Sequence, residues 1–302
     1  MYYQDNEKQE APSNLWFIWQ IYKRNGFDLF GLYLFIMIML LIFVLPFIIN
    51  ANPFTQNVNA RLLPPSWIEG GELIHFFGTD EFGRDFLSRL LIGGQNTIIH
   101  SFLATLIAMV IGCVVGITSA VTKRKAKKSV MHHFFDILSS IPSILLALII
   151  IAILSPSLSH AMLAIALSQI PRFVHTTYFA VGHELSKEYM TTQILDGAPY
   201  FMLIRTTILP NVLDIIIKNF YQALTISVLD ISALGFLGFG APAPIPEWGN
   251  MLAQGMDLIF IGSYMAILPG ISIMLFIISV NLVGHGLYRV LTEGVKHGTN
   301  RY

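Results

Sequence analysis

Long, uninterrupted apolar runs are the feature that most constrains this chain. Of its 302 residues, 54% are hydrophobic and only 12% are charged, whereas soluble domains usually carry about 25% charged residues. Lipid offers the backbone no hydrogen-bond partner, so a spanning segment must be a helix or a strand of a closed barrel. Runs of about 20 apolar residues match a helix that crosses a hydrocarbon core of about 30 Å. We therefore predict an all-α, polytopic membrane protein with about six transmembrane helices.

The apolar runs divide the chain into segments. The predicted spans are residues 29–49, 97–121, 134–154, 158–178, 212–239 and 264–283. We expect the first span to be a retained anchor, because its apolar run is too long for a signal peptide. The segments are a cytoplasmic N-terminal segment (1–28), the anchor (29–49), a periplasmic segment (50–96), a core of five spans (97–290) and a cytoplasmic tail (291–302). Within the periplasmic segment, residues 86–92 have the pattern of a short amphipathic helix on the outer surface.

The positive charges predict the orientation, because Lys and Arg are retained on the cytoplasmic side. Five of them lie within residues 123–128, between spans two and three, and others, Arg172 among them, follow or end span four. Of the 18 Lys and Arg, only Arg61, Arg84 and Arg89 fall in the predicted outer segments. We therefore expect a multi-pass protein of the cell inner membrane with both termini in the cytoplasm.

The sequence lacks the common signatures of catalysis. It contains no P-loop, no H-E-x-x-H and no G-x-S-x-G, which are the patterns for phosphate binding, zinc proteolysis and serine hydrolysis. The single cysteine, Cys113, cannot form an internal disulfide and has no metal-ligand spacing around it. The formal net charge of zero gives no reason to expect nucleic acid. We therefore expect no enzyme active site, no cofactor and no metal on this chain.

Residues 184–211, between spans four and five, form a cytoplasmic segment that is only partly polar. Apolar residues recur in its first half at helical spacing. Asp196-Gly197 predicts a turn, because glycine accepts a positive φ. Pro199 suits the first turn of a second helix, and Pro210 predicts a break before span five. An apolar helix-turn-helix on the cytoplasmic side is expected to dock into a groove of a partner protein.

This segment resembles the coupling loop of permeases in binding-protein-dependent ABC transporters. The loop motif in that family has Glu-Ala-Ala, then Gly after a short spacer, and later Leu-Pro. Gly197 and Leu209-Pro210 match, whereas Thr191-Thr192-Gln193 replaces Glu-Ala-Ala. The resemblance implies that the residues coupling this chain to an ATPase are Glu188, Thr191, Thr192, Gln193, Asp196, Gly197, Leu209 and Pro210.

Other stretches resemble the dipeptide/oligopeptide permease subfamily, second-subunit type. Residues 77–89 are similar to its signature before the second span, and residues 233–252 to the end of its fifth span with the following outer loop. The similarity covers roughly residues 25–290. Within the subfamily, three stretches are most similar to the Sap-type permeases, which are linked to antimicrobial-peptide uptake and resistance: residues 155–162, 196–198 and 229–236.

The resemblance implies a type I ABC importer permease fold and a transmembrane subunit that imports peptides, with cationic antimicrobial peptides among the candidates. The implied partners are a second homologous permease, two ATP-binding subunits that hydrolyse ATP, a periplasmic substrate-binding protein and membrane lipid. Two alternatives stay open. One is a permease for another small solute, such as a polyamine, haem or nickel, and the other is a stand-alone secondary transporter. The latter would need inverted repeats and paired ionisable residues at the membrane centre.

Asp230 is a candidate functional residue inside span five. It lies about 27 Å along the helix from the start of the span, where an ionisable group is costly unless it meets water or a partner. One interpretation is helix packing or hydrogen bonding between subunits. The other is that Asp230 lines the pathway of the solute.

Overall fold

The computed structural model describes residues 14–122, 137–138 and 140–299, and these residues are predominantly helical. Within this part of the chain, the only β-type pairing is one isolated bridge between Thr79 and Asp85. The all-α prediction is therefore confirmed. The start of span three and the basic cluster at 123–128 lie outside the described residues.

The first span enters the membrane after a short amino-terminal helix. Helix α1 covers Asn14–Lys23, α2 covers Gly26–Phe43 and α3 covers Leu45–Ile48. Asn25 caps α2 because its side-chain oxygen accepts a hydrogen bond from the backbone N–H of Phe27 at 3.1 Å. Helices α2 and α3 together account for the predicted anchor.

Helix α4 covers Phe86–Val121, and its 36 residues correspond to about 54 Å. The prediction of a separate surface helix at residues 86–92 is wrong, since these residues form the first turns of α4. Asp85 caps this helix by accepting hydrogen bonds from the N–H and the hydroxyl of Ser88, at 2.8 and 2.7 Å. No proline interrupts residues 86–121, and the helix continues through Gly93 and Gly94 into the apolar run.

Two shorter or less apolar helices follow. Helix α5 covers Ser143–Ile153 and α6 covers Leu158–Leu185. Helix α6 extends beyond the predicted end of span four, so Arg172 lies in the middle of this helix. The distribution of positive charges had placed Arg172 among the residues that follow or end the span, and this prediction is wrong. Helix α4 packs tightly on α6, because a Cβ at Gly112 or Gly116 would overlap Phe173 or Thr177. Small residues spaced in this way let two membrane helices approach closely.

The segment after α6 leads directly into the fifth span. Helix α7 covers Glu188–Leu195 and α8 covers Tyr200–Leu203; a π-helical segment, Ile204–Ile208, then joins α9, Leu209–Phe236. The expected break at Pro210 does not occur. Proline removes one N–H and crowds the preceding turn. Pro210 occupies the first turn of α9, and the wider π-helical turn before it relieves that crowding.

The last two helices complete the bundle. Helix α10 covers Trp248–Asp257 and α11 covers Tyr264–Thr299. The buried carboxylate of Asp28 pairs with the guanidinium of Arg289 at 2.8 Å and thereby ties the beginning of α2 to α11. Among the described residues, four helices are long and apolar enough to cross a membrane: Gly26–Ile48, Phe86–Val121, Tyr200–Phe236 and Tyr264–Glu293. Helices α5 and α6 occupy the places of predicted spans three and four.

Candidate functional site

The turn between α7 and α8 is closed by a pair of backbone hydrogen bonds. The N–H of Gly197 donates to the carbonyl of Ile194 at 3.2 Å, and the N–H of Ala198 donates to the carbonyl of Gln193 at 3.1 Å. This is the Schellman arrangement, which requires a left-handed residue after the helix. Gly197 supplies it with φ of +81°. The turn predicted at Asp196-Gly197 is therefore present, and its geometry explains the glycine.

A buried carboxylate anchors α7 to the two membrane helices that flank it. Glu184, at the end of α6, is only 2% exposed. Its Oε2 lies 2.6 Å from the Nζ of Lys187, and its Oε1 accepts a hydrogen bond from the side-chain amide of Asn211 at 2.9 Å. The hydroxyl of Tyr189 on α7 donates to the same carboxylate. One side chain thus connects α6, α7 and α9.

Apolar packing fixes which face of α7 points inward. Met190 is fully buried and belongs to an apolar cluster with Leu203, Ile208 and Val212, which are at most 2% exposed. The apolar recurrence in the sequence predicted the helix itself. It did not single out Met190 as the inward residue, because the neighbouring apolar positions are equally hydrophobic.

The opposite side of this segment is apolar and exposed. Leu195, Phe201 and Met202 are 81%, 77% and 55% exposed, and we call these three residues the docking surface. Beside them lies a groove of about 220 Å³. It is lined by Gln193, Asp196, Ala198, Met202, Leu203 and Thr206. Exposed apolar side chains on a rigid helical turn are suited to insertion into a partner.

The structure distributes the predicted coupling residues over this segment. Glu188, Thr191 and Thr192 are exposed on α7, and Leu209 and Pro210 are exposed where α9 begins. Of the predicted set, Gln193 and Asp196 line the groove. Gln193 also accepts a hydrogen bond of 3.4 Å from the hydroxyl of Thr207.

Sequence analysis did not identify Glu184 and Asn211 as functional residues. The only local signal was the acid-base spacing of Glu184 and Lys187, which is suited to an ion pair on one helix face. The contact of Glu184 with Asn211 spans 27 residues, and no local pattern predicts it.

The outer signature at residues 77–89 forms a folded ion-pair motif. The carboxylate of Asp80 lies 2.7 Å from the Nε of Arg84 and 3.3 Å from the Nε of Arg89. The backbone N–H groups of Phe82 and Arg84 also donate to it, both at 2.9 Å. These three ionised side chains are almost completely buried, so the motif is a structural element of the outer segment and not a free charged loop.

The second outer signature is anchored on α4 through Glu247 and Trp248. The carboxylate of Glu247 accepts hydrogen bonds from Thr97, Gly249 and Asn250 at 2.9–3.0 Å. Burial raises the pKa of the Glu247 carboxyl, and these hydrogen bonds lower it. The indole of Trp248 donates to the carbonyl of Leu90 at 2.9 Å. Helix α10 is therefore held against the outer end of α4.

Asp230 lies on α9 and is 7% exposed. Its Oδ2 accepts a hydrogen bond of 2.8 Å from the hydroxyl of Ser143 at the start of α5. This contact joins two helices. It is compatible with either role considered for Asp230, because the hydroxyl satisfies the carboxylate without neutralising it.

Residues 108–297 match the family described as the binding-protein-dependent transport system inner membrane component. The chain belongs to this family. The family prediction made from the sequence motifs is therefore confirmed. As a member of this family, the chain is a transport component of the inner membrane that acts together with other components of an ABC importer.

Several curated proteins are similar over most of the chain. The peptide transport system permease protein SapC of Salmonella typhimurium is 44% identical over 80% of this chain and 81% of its own length. SapC of Haemophilus influenzae is 35% identical, with 95% and 97% covered. The dipeptide transport system permease protein DppC of Escherichia coli K12 is 38% identical, with 92% of each covered.

A solved structure has the same fold as this inner membrane component. A chain of the inward-facing MetNI methionine ABC transporter aligns with a TM-score of 0.56 and 20% identity. The alignment covers 67% of this chain and 95% of that chain. At this identity the likeness establishes the importer permease fold alone.

Proposed function

We propose that this chain is the transmembrane permease subunit of an ATP-driven ABC importer that moves peptides across the inner membrane. Similarity to the SapC and DppC permeases over 80–95% of the chain supports peptides as the solute class. The greater identity to SapC of Salmonella typhimurium favours the Sap-type branch, and thus cationic antimicrobial peptides among the solutes.

The proposed complex contains a second homologous permease, two ATP-binding subunits and a periplasmic substrate-binding protein. Hydrolysis of ATP takes place on the ATP-binding subunits, and this chain carries no cofactor. Both termini are cytoplasmic, so the segment from Glu184 to Asn211 meets the ATP-binding subunits. The ion-pair motif around Asp80 and the helix α10 then face the binding protein.

The hydrogen bonds that Glu184 accepts from Tyr189 and Asn211 are the observation that best supports this mechanism. The docking surface is exposed for insertion into an ATP-binding subunit, while Glu184 and the Met190 cluster join the same segment to α6 and α9. A displacement at the docking surface is therefore transmitted to two membrane helices. ATP binding shifts the population between inward-facing and outward-facing states through this connection.

The test is substrate-stimulated ATP hydrolysis by the complete complex in proteoliposomes. We expect peptide-loaded binding protein to stimulate hydrolysis by the wild type, and Leu195→Asp or Phe201→Asp to reduce co-purification of the ATP-binding subunits. The matched control is Phe260→Asp, which alters a fully exposed apolar residue of the outer segment and should leave that co-purification unchanged. Absence of stimulation in the wild type would contradict the proposed function.

A further inference from the structure

A cavity of about 690 Å³, with several polar side chains in a mostly apolar lining, lies between α5, α6 and α9. Its lining includes Ser143, Ser168, Gln169, Arg172, Thr176 and Ile226. Small-molecule sites typically have volumes of about 300–1,000 Å³, so a short peptide segment fits this space. Arg172 lies fourteen residues after the first residue of α6, which corresponds to about 21 Å along the helix. The cavity therefore sits close to the middle of α6, the helix that occupies the place of predicted span four.

The guanidinium of Arg172 is held by neutral groups. Its Nε donates to the side-chain oxygen of Asn219 at 2.9 Å, and one terminal nitrogen donates to that of Gln222 at 3.0 Å. Within the described part of the chain, no carboxylate lies within ion-pair distance of Arg172. A cation at this depth is costly without a counter-charge. The two amides orient the side chain but do not neutralise it.

Gln169 provides an independent indication of a ligand. This side chain lines the cavity and is 3% exposed. Its amide nitrogen donates to the hydroxyl of Ser227 at 2.7 Å and to the carbonyl of Ala223 at 3.3 Å. Its oxygen has no hydrogen-bond partner among the described residues. A buried acceptor left unpaired is unfavourable, and an incoming N–H donor would remove this penalty.

We propose that this cavity binds the carboxylate terminus of the transported peptide, with Arg172 pairing with the carboxylate and Gln169 accepting a backbone N–H. The proposal rests on peptide transport as the proposed function. The planar guanidinium matches a carboxylate in a two-point geometry that lysine does not reproduce. An amide acceptor beside this cation suits the N–H group that precedes the terminal carboxylate. The cavity thus combines a counter-charge with recognition of the peptide backbone.

The carboxylate has two possible sources, the peptide or the second permease. We distinguish them by measuring uptake of trialanine and of trialanine amide by the complete complex in proteoliposomes, with assembly followed by co-elution of the second permease. The same binding protein serves every variant, so its own preference cancels when the ratio of the two uptake rates is compared between variants.

We expect Arg172→Gln to lower trialanine uptake by about tenfold, as for loss of one charged hydrogen bond, and to change uptake of the amide much less. Arg172→Lys should give an intermediate ratio, since it keeps the charge but not the planar fork. Arg61→Gln, which alters an exposed arginine of the outer segment, is the control and should leave the ratio at the wild-type value.

The remaining outcomes overturn the proposal. Equal losses for both peptides, or an unchanged ratio, would show that Arg172 does not recognise the carboxylate. If Arg172→Gln does not assemble, Arg172→Lys decides by the same ratio. If neither variant assembles, the carboxylate belongs to the second permease. Wild-type transport of neither peptide would contradict the proposed function and this proposal together, whereas wild-type transport with an unchanged ratio contradicts the carboxylate site alone.

Discussion

The side-chain amide of Asn211 donates a hydrogen bond to the carboxylate of Glu184, with an Nδ2–Oε1 distance of 2.9 Å. This bond joins the beginning of α9 to the end of α6. Tyr189 donates to the same carboxylate from α7, so the three helices share one acceptor. A carboxylate used in this way makes the segment between α6 and α9 part of the helical bundle and not a free loop.

Replacement of Glu184 should therefore destabilise the protein. Glu184→Ala leaves the amide of Asn211 and the ammonium of Lys187 without this acceptor, and we expect a loss of about 1–3 kcal/mol in unfolding free energy. Lys187 is 40% exposed, so water solvates its ammonium and the ion pair contributes little to the unfolding free energy. The measurement is thermal unfolding of the purified complex in detergent. Glu188→Ala removes an exposed carboxylate of α7 and should change the midpoint little, whereas equal shifts for both variants would contradict the anchoring role of Glu184.

Gly197 should tolerate replacement by alanine much better than replacement by proline. Proline is fixed near φ of −65°, whereas Gly197 has φ of +81° and donates its N–H to Ile194. We expect Gly197→Pro to abolish peptide-stimulated ATP hydrolysis while membrane insertion persists. Gly197→Ala should cost only about 1–2 kcal/mol, because its Cβ meets no atom within 4 Å.

The control for Gly197→Ala is Gly182→Ala, another open position without a positive φ. It should leave both stability and hydrolysis unchanged. Normal transport by Gly197→Pro would show that the coupling turn is placed incorrectly.

The turn and the apolar runs were predictable because their signals are local. Glycine after a helical pattern and runs of spanning length each depend on adjacent residues alone. The length of α6 was not predictable in this way. Span four was predicted to end at residue 178, with Arg172 among the positive charges that follow or end it. The side-chain oxygens of Asn219 and Gln222 on α9 accept hydrogen bonds from Arg172, and the helix continues to Leu185.

The contacts within the outer signature at residues 77–89 were also not predictable from local sequence patterns. No local pattern predicts that Asp80 pairs with both Arg84 and Arg89. In the folded chain Asp80 is shared by the two arginines in a buried ion-pair motif. Similarly, the first turns of α4 contact Trp248, which is distant in sequence, and no local pattern predicts this contact.

Asp80 should accordingly be a stability determinant of the outer segment. Asp80→Ala leaves two buried guanidinium groups without their shared carboxylate, and breaking a buried ion pair from one side typically costs about 3–5 kcal/mol. We expect a marked fall in the thermal unfolding midpoint and in the amount of assembled complex. Glu81→Ala is the control, because Glu81 is the exposed neighbour. A wild-type midpoint for Asp80→Ala would show that the motif contributes nothing to stability.

The predicted orientation can be tested by cysteine labelling in intact cells. Replacing Cys113 with Ser removes the native thiol, after which Leu73→Cys and Ala126→Cys are introduced separately. Leu73 is 87% exposed in the outer segment and should react with a membrane-impermeant maleimide. Ala126 belongs to the basic cluster outside the described residues and should react only after the cells are permeabilised. Labelling of residue 126 in intact cells would reverse the proposed orientation.

Asp230 should influence the passage of cationic peptides without being needed for assembly. The variant Asp230→Asn keeps an oxygen that accepts the hydrogen bond from Ser143 but removes the negative charge. The variant Ser143→Ala does the reverse, because it removes the 2.8 Å hydrogen bond and leaves the charge. The pair therefore separates helix packing from electrostatic attraction of the solute.

We expect both Asp230→Asn and Ser143→Ala to assemble with the second permease, as judged by co-elution. A charge placed inside a membrane helix costs about 2.5–3.5 kcal/mol on insertion scales, so its removal should not weaken membrane insertion. Uptake of a lysine-rich peptide should fall about fivefold or more in Asp230→Asn if one favourable charge interaction of about 1 kcal/mol is lost. Uptake of a neutral peptide of equal length should stay near the wild-type rate in Asp230→Asn. Ser143→Ala alters the lining of the cavity but no charge, so its ratio of the two uptake rates should stay at the wild-type value. Equal losses for the two peptides in Asp230→Asn, or failure of that variant to assemble, would assign Asp230 to helix packing and contradict its role in the pathway.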